Sequence, residues 1–232
     1  MEISKCWKTG ADGQKFVASF SGGKDSTLAL YEAMKTGKAV GLIIVLEEDG
    51  KRSRSHGMTV DFIKAQAESI GLPIYLAAAS WTNYEATFID MLHKMKTLGA
   101  EALVTGDLDM PEHGCWHEKV TNIANLKLGM PLWQADHTEV VERFINLGFK
   151  TILTTVNLTL GMREDDLGKV LTNEYVQELK SRGIDPCGEG GEFHTTVIDG
   201  PIFKQPISYK PLKIIREDNY AFLPLQLIDT KV

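Results

Sequence analysis

Residues 15–26 constrain the fold of this 232-residue chain more than any other stretch. A short strand-like run, Lys15–Phe20, stops at Ser21-Gly22-Gly23-Lys24-Asp25-Ser26, and a helical pattern with Leu28, Tyr31 and Ala33 available to pack runs from Lys24 to Lys35. Two adjacent glycines let the backbone take positive φ and bring its N–H groups up to an anion with no Cβ in the way. The helix opening there adds unpaired N–H groups and the positive end of its dipole. Lys24 contributes a full charge, and the hydroxyls of Ser21 and Ser26 can donate to phosphate oxygens. Asp25 would repel a phosphate, so it either favours the helix N-terminus or reaches a Mg²⁺ that bridges phosphates. An ordinary tight turn needs the glycines but neither the lysine nor the flanking serines. The G-x-x-x-x-G-K-[ST] spacing is not met, so cleavage between β- and γ-phosphates is not what the turn suggests.

The following hundred residues alternate strand and helix patterns. Ala39–Leu46 is a nearly continuous aliphatic run, as expected for a parallel strand covered on both faces. Helical periodicity over Met58–Ile70 ends at Gly71 and Pro73; a strand over Pro73–Leu76 and a helix over Asn83–Leu98 follow. Glu101–Thr105 reads as a fourth strand leading into Gly106-Asp107, and Glu118–Leu128 as a helix stopped by Gly129. This order predicts a parallel sheet wrapped by helices, with ligands held beyond the carboxyl ends of the strands near the point where strand order reverses. The turns after the first and fourth strands both fall on that edge. Past residue 130 come helices near 138–147 and 172–181, a strand near 150–156, and a tail from Thr195 with four of the eight prolines and short β-like runs such as Leu212–Arg216. The expected division is 1–130 for a nucleotide-binding domain and 131–232 for a smaller substrate subdomain.

Composition narrows the setting. No apolar run approaches the roughly 20 residues that span a bilayer, and three widely spaced cysteines, Cys6, Cys115 and Cys187, make no disulfide framework. The cytoplasm is the default compartment, with no membrane partner. The net charge of −6 disfavours nucleic acid, which is bound through a basic face. The short runs Lys94-Met95-Lys96 and Lys51-Arg52-Ser53-Arg54 read as a solvated helix face and a loop.

Ser19-Phe20-Ser21-Gly22-Gly23-Lys24-Asp25-Ser26 resembles the SGGxDS signature of PP-loop ATP pyrophosphatases. That resemblance implies an α/β fold: a doubly wound, mainly parallel sheet (PP-loop/HUP-like Rossmannoid) with a smaller C-terminal α+β subdomain. It also implies ATP as cofactor with Mg²⁺, cleaved to AMP and pyrophosphate as an oxygen of the acceptor is adenylated. Three more segments resemble the diphthine–ammonia ligase branch: Thr105-Gly106-Asp107 with Glu118; Pro131-Leu132-Trp133 followed by a helix to Gly148 and then Leu167-Gly168; and Gly188-Glu189-Gly190-Gly191-Glu192-Phe193-His194-Thr195 running on to Asp199-Gly200-Pro201-Ile202-Phe203. The third is the most distinctive.

Read from the residues alone, Glu189 and Glu192 flank two glycines, with His194 and Thr195 close behind. Paired carboxylates on a tight turn can hold Mg²⁺, position an ammonium ion or take a proton from it; a surface turn with solvated glutamates is the plain alternative. The expected catalytic residues are Lys24, Asp25, Glu118, Glu189, Glu192, His194 and Thr195. Nucleotide contacts are expected from Ser21, Gly22, Gly23, Lys24, Asp25, Ser26, Leu46, His56, Gly106, Asp107, Gly190 and Gly191, and a metal contact from Asp25. The family places a histidine where His56 stands, implying a phosphate or ribose contact; a helix-capping loop histidine is the alternative. Implied partners are ammonium and a carboxylate acceptor, protein or small molecule, with a homodimer left open because Trp133 and Tyr220–Ile228 could be interface or core.

One departure stands out. Diphthamide-making members carry Arg-x-Glu where this chain has Trp116-His117-Glu118, and tryptophan cannot make a bidentate anion contact. Either the substrate differs or another cation serves, with His117 and Lys119 nearby; amidation of a small molecule or nucleotide hydrolysis is the alternative within the enzyme class, and a nucleotide-binding module without ligase chemistry is the rival reading. His113-x-Cys115-x-His117 would offer zinc ligands on one side only if extended. The absence of any CxxC pair weighs against sulfur transfer.

Overall fold

The computed structural model describes residues 5–54 and 56–228. The chain divides into two compact units, the first comprising Met1–Ser21, Asp25–Ser55 and Leu72–Ala135, the second Gly22–Lys24, His56–Gly71 and Asp136–Val232.

The first unit holds a five-stranded parallel sheet of β1 (Lys15–Ser19), β2 (Lys38–Leu46), β3 (Ile74–Ala78), β4 (Ala102–Val104) and β5 (Lys127–Gly129), in the order β3-β2-β1-β4-β5. Successive strands step outward from β1 through β2 to β3, and the chain then returns to β1's other side with β4. The order therefore reverses between β1 and β4, the neighbours whose carboxyl ends lead into the two glycine turns. Strand β2 lies inside the sheet between β1 and β3, and its residues 42–46 are all buried, as their unbroken hydrophobicity requires of a strand covered on both faces. Helices α1 (Lys24–Met34), α3 (Tyr84–Thr97) and α4 (Pro111–Ile123) complete the winding, and Val17, Ile43, Phe88, Leu92, Leu103 and Val120 anchor one core. This is the expected doubly wound α/β arrangement.

Two local expectations are corrected. The segment read as helix from Glu118 to Leu128 begins seven residues earlier, at Pro111, and ends at Ile123. Pro111 sits in the first turn, where its missing N–H costs nothing. Gly114 reads as a helix breaker, yet a Cβ there would lie 2.6 Å from the Trp7 ring and 3.1 Å from Trp133, so glycine is required for packing. Residues 127–129, read as the end of that helix, form β5 instead. Trp133 is core: 2% exposed, edge-on to Trp7 with ring centroids 5.2 Å apart.

The second unit has a four-stranded antiparallel sheet of β6 (Lys150–Asn157), β7 (Phe193–Asp199), β9 (Ile215–Glu217) and β10 (Tyr220–Phe222), in the order β7-β6-β10-β9. Strands β8 (Tyr209–Pro211) and β11 (Leu225–Leu227) pair separately, so the β-like run Leu212–Arg216 is split, and only its last two residues lie in a strand. The tail Tyr220–Ile228 is partly core, with Ala221, Leu223 and Leu225 buried and Tyr220 and Ile228 exposed. Helix α5 (His137–Asn146) starts at Asp136 and α6 (Asn173–Ser181) at Thr172, each cap side chain accepting a backbone N–H of the first turn. Helix α2 (Val60–Ile70) belongs to this unit, capped by Thr59 and ended by Gly71 at φ 83°. Among the described residues no helix is long and apolar enough to cross a membrane.

Candidate active site

In the first unit, Ser21 and Ser26 share a hydroxyl–hydroxyl hydrogen bond of 3.0 Å, and the Ser21 N–H donates to Ser26 Oγ at 3.2 Å. Gly106, beyond β4, lies against the start of α1, where a Cβ would come within 2.7 Å of the Asp25 carbonyl carbon and the Ser26 nitrogen. Glycine at 106 thus permits the two turns to touch. Asp25 lies in the first turn of α1, half-buried.

Asp107 is engaged on both oxygens, by His113 Nδ1 at 2.9 Å and His117 Nε2 at 3.0 Å. Burial alone would raise its pKa, but these hydrogen bonds outweigh burial and hold the carboxyl well below the usual carboxylate range. His113 and His117 lie one turn apart on α4, whereas the extended backbone on which a His-x-Cys-x-His zinc site depends is absent. Cys115 is exposed. That motif serves instead to fix Asp107.

Trp116 lies among Tyr84, Phe88 and His117, with centroid distances of 5.7, 5.0 and 5.0 Å, and its indole N–H donates to Glu85 at 2.9 Å. Lys119 pairs with the same Glu85 at 2.6 Å and His117 with Asp107 at 3.0 Å, so both basic side chains flanking Trp116 have carboxylate partners. Glu118 is half-buried on α4. Leu46 ends β2 with its side chain 5% exposed and its carbonyl oxygen accepting from Ala79 N at 3.2 Å.

In the second unit, Gly22, Gly23 and Lys24 meet strand β7. Gly22, at φ 78°, has a carbonyl that accepts from Val197 N–H at 2.9 Å and from the Gln66 side-chain amide at 3.0 Å. A Cβ on Gly22 would lie 2.4 Å from Gln66 Oε1, and one on Gly23 2.5 Å from His56 Cε1. Lys24 is 4% exposed; its backbone N–H donates to Thr195 Oγ1 at 3.1 Å and its ammonium to the Cys187 carbonyl oxygen. The glycine turn and the Gly188–Thr195 segment are thereby bonded to each other, with Lys24 and Thr195 separated by 171 positions in the sequence.

His56 places Nδ1 3.1 Å from the Thr195 carbonyl oxygen and packs against the His194 ring, centroids 4.7 Å apart and planes tilted by 38°. A carbonyl only accepts, so Nδ1 carries the proton and Nε2 keeps a lone pair. Burial lowers the His56 pKa to about 4; the Thr195 contact opposes this and the Lys24 charge reinforces it. A neutral imidazole with Nδ1–H committed can accept a hydrogen bond from a ribose hydroxyl or an ammonium ion, but cannot donate one to a phosphate. The capping role is taken by Thr59 instead.

The carboxylate turn is held from within. Asp185 Oδ1 accepts from Cys187 N–H at 3.0 Å, and Oδ2 accepts from Glu189 N–H at 3.1 Å and lies 2.8 Å from His137 Nδ1. Gly188 and Gly191 take φ of 72° and 83°, and Gly191 N–H closes the turn onto the Gly188 carbonyl at 3.1 Å. A Cβ on Gly190 would crowd Glu192 Oε1 at 2.7 Å. Glu192 Oε2 is buried without a hydrogen-bond partner, a poised acceptor for a cationic or N–H-bearing ligand.

Sequence reading missed Gln66, His137 and Asp185. Gln66 alone carried a signal: it stands four residues after Phe62 and three after Ile63, on the apolar face of α2.

The N-terminal domain of diphthamide synthase matches residues 14–128 and its C-terminal domain residues 136–226. The chain is 28% identical over 228 residues to the diphthine–ammonia ligase of Schizosaccharomyces pombe, covering 88% of this chain but 38% of that protein. It is 27% identical to the Mus musculus diphthine–ammonia ligase (91% of this chain, 88% of that one) and 26% identical to that of Danio rerio (91% and 92%). A solved structure of a predicted tRNA methyltransferase subunit from Methanocaldococcus jannaschii aligns over 81% of this chain and 98% of that one, at 14% identity and a TM-score of 0.43. Both domains are matched in order, over segments that include the two glycine-rich turns: the chain belongs to the diphthamide synthase family, the diphthine–ammonia ligase-like branch of the PP-loop proteins.

Proposed function

We propose that this chain is an ATP-dependent amide ligase of the diphthine–ammonia ligase type, joining ammonia to an acceptor carboxylate through an acyl-adenylate. The observation that carries this reading is the bonding of Gly22–Lys24 to Thr195 and Val197 on β7. It couples a phosphate-cradling turn to the segment bearing Glu189 and Glu192. On this reading residues 1–130 bind ATP and 131–232 serve the acceptor.

The backbone N–H groups of the Ser21–Ser26 turn and the ammonium of Lys24 take the phosphates. Lys24 must then exchange the Cys187 carbonyl for a phosphate oxygen. The acceptor carboxylate oxygen attacks the α-phosphorus, the bond to the β-phosphate oxygen breaks, and pyrophosphate leaves with the electron pair. An ammonium ion held at Glu189–Thr195 gives a proton to a carboxylate, its nitrogen attacks the acyl carbon, AMP leaves with the electron pair of the acyl–oxygen bond, and the amide nitrogen gives its second proton to water. Rate enhancement comes from placement and from stabilising phosphate charge. Asp25 offers the oxygen donors that Mg²⁺ takes, so the residues fit that ion, which when bound would offset phosphate charge.

A second reading, amidation of a small molecule other than diphthine, draws support from Trp116, committed to Glu85 and Phe88 where a guanidinium would grip an anion. The discriminating assay measures ammonium-dependent pyrophosphate release with diphthine-bearing protein and with small carboxylates. Wild type should release pyrophosphate with one of them. Lys24→Ala and Glu189→Ala should each lose about 10²-fold or more. Nucleotide binding without acceptor-dependent release would reduce the chain to a binding module.

A further inference from the structure

Gln66 is a polar residue buried completely, at 0% exposure. Its side-chain N–H₂ donates one hydrogen to the Gly22 carbonyl at 3.0 Å and the other to the Val197 carbonyl at 2.7 Å. Both partners accept only, so the nitrogen end must face them. Oε1 is left buried without a partner, against Gly22, where a Cβ would stand 2.4 Å away. Val197 N–H closes the third side of this link by donating to the same Gly22 carbonyl at 2.9 Å.

We propose that Gln66 is a positioning residue that holds the glycine turn in register with β7, so that the phosphate cradle and the carboxylate segment keep one fixed spacing. No other neutral side chain of this length offers two donors from one atom. Leucine or methionine would fill the space but take one donor from each of two carbonyls, leaving Gly22 only the Val197 N–H, and glutamate would set a third acceptor against them. Gly22 at φ 78° has no Cβ to meet the amide. The glycine and the glutamine therefore require each other: one supplies the space, the other fixes the turn. The role rests on the ligase reading for its catalytic consequence but not for its structural one, because Gln66 touches neither substrate in this account.

The experiment compares wild type with Gln66→Met and Gln66→Glu in two measurements. In amide hydrogen exchange read by mass spectrometry, Gln66→Met should exchange about tenfold faster at 22–24 and 195–197 with the β1–β5 sheet unchanged. Uniform acceleration, or none, overturns the proposal whatever reaction the protein catalyses. In ammonium-dependent pyrophosphate release, kcat of the folded Gln66→Met protein should fall about 10²-fold, the effect of misplacing reacting groups by about 1 Å, with KM for ammonium within threefold of wild type. A variant of lowered thermal stability but wild-type kcat would make Gln66 merely structural and overturn it too. Gln66→Glu should regain activity relative to wild type as pH falls, because the protonated carboxyl can again donate to one carbonyl; a pH profile parallel to wild type contradicts the role. Wild-type pyrophosphate release tests the ligase reading separately.

Discussion

At the scale of single residues, the turn works by subtraction as much as by charge. Gly22 and Gly23 are walled by Gln66 and His56, so glycine answers the crowding behind the turn, and on the proposed reading it also leaves room for an anion. His56 yields a pH prediction whose sign follows from its burial. Its folded pKa, about 4, lies below the ordinary value of 6.5. The folded state therefore favours the neutral ring, and this contribution is complete above about pH 6.5 and is lost as pH falls toward 4. Stability should drop by on the order of 2 kcal/mol between pH 6.5 and 4.5 from this group alone. Urea unfolding across that range checks it: His56→Asn should flatten the slope, and an NMR titration of the ring should show a midpoint near 4. A midpoint near 6.5 would contradict the burial account.

At the scale of elements, the carboxylate turn depends on a partner outside its own motif. Asp185 ties Cys187 and Glu189 to His137 at the start of α5. Asp185→Ala should cost about 1–3 kcal/mol, the usual penalty for stranding buried donors. It should also release the Cys187 carbonyl that receives Lys24. Chemical denaturation measures the first effect, and a rise in KM for ATP reports the second. Here lies the division between what sequence shows and what it hides. The glycine turns, the aliphatic β2 run and the capped helices are local, decided by neighbours a few residues away, and they were legible. Helix α4 was half missed because Gly114 opposes helix locally and is demanded by Trp7 and Trp133, far off in the chain. Strand β5 has three residues, too few for a period to register. Gln66, His137 and Asp185 reach partners 44 to 131 residues away, and their types alone announce no role.

At the scale of the whole molecule, the chain joins a parallel sheet, whose order reverses beside the first glycine turn, with an antiparallel sheet whose edge strand carries His194 and Thr195. The familiar ATP chemistry of a P-loop would release orthophosphate from the γ end. The turn here lacks that spacing, and the account instead requires cleavage between the α- and β-phosphates. The direct measurement is the product pair formed from ATP with Mg²⁺, ammonium and a carboxylate acceptor, resolved by anion-exchange chromatography. The account predicts AMP and pyrophosphate in equal amounts, matched by nitrogen incorporated into the acceptor. ADP and orthophosphate would contradict it.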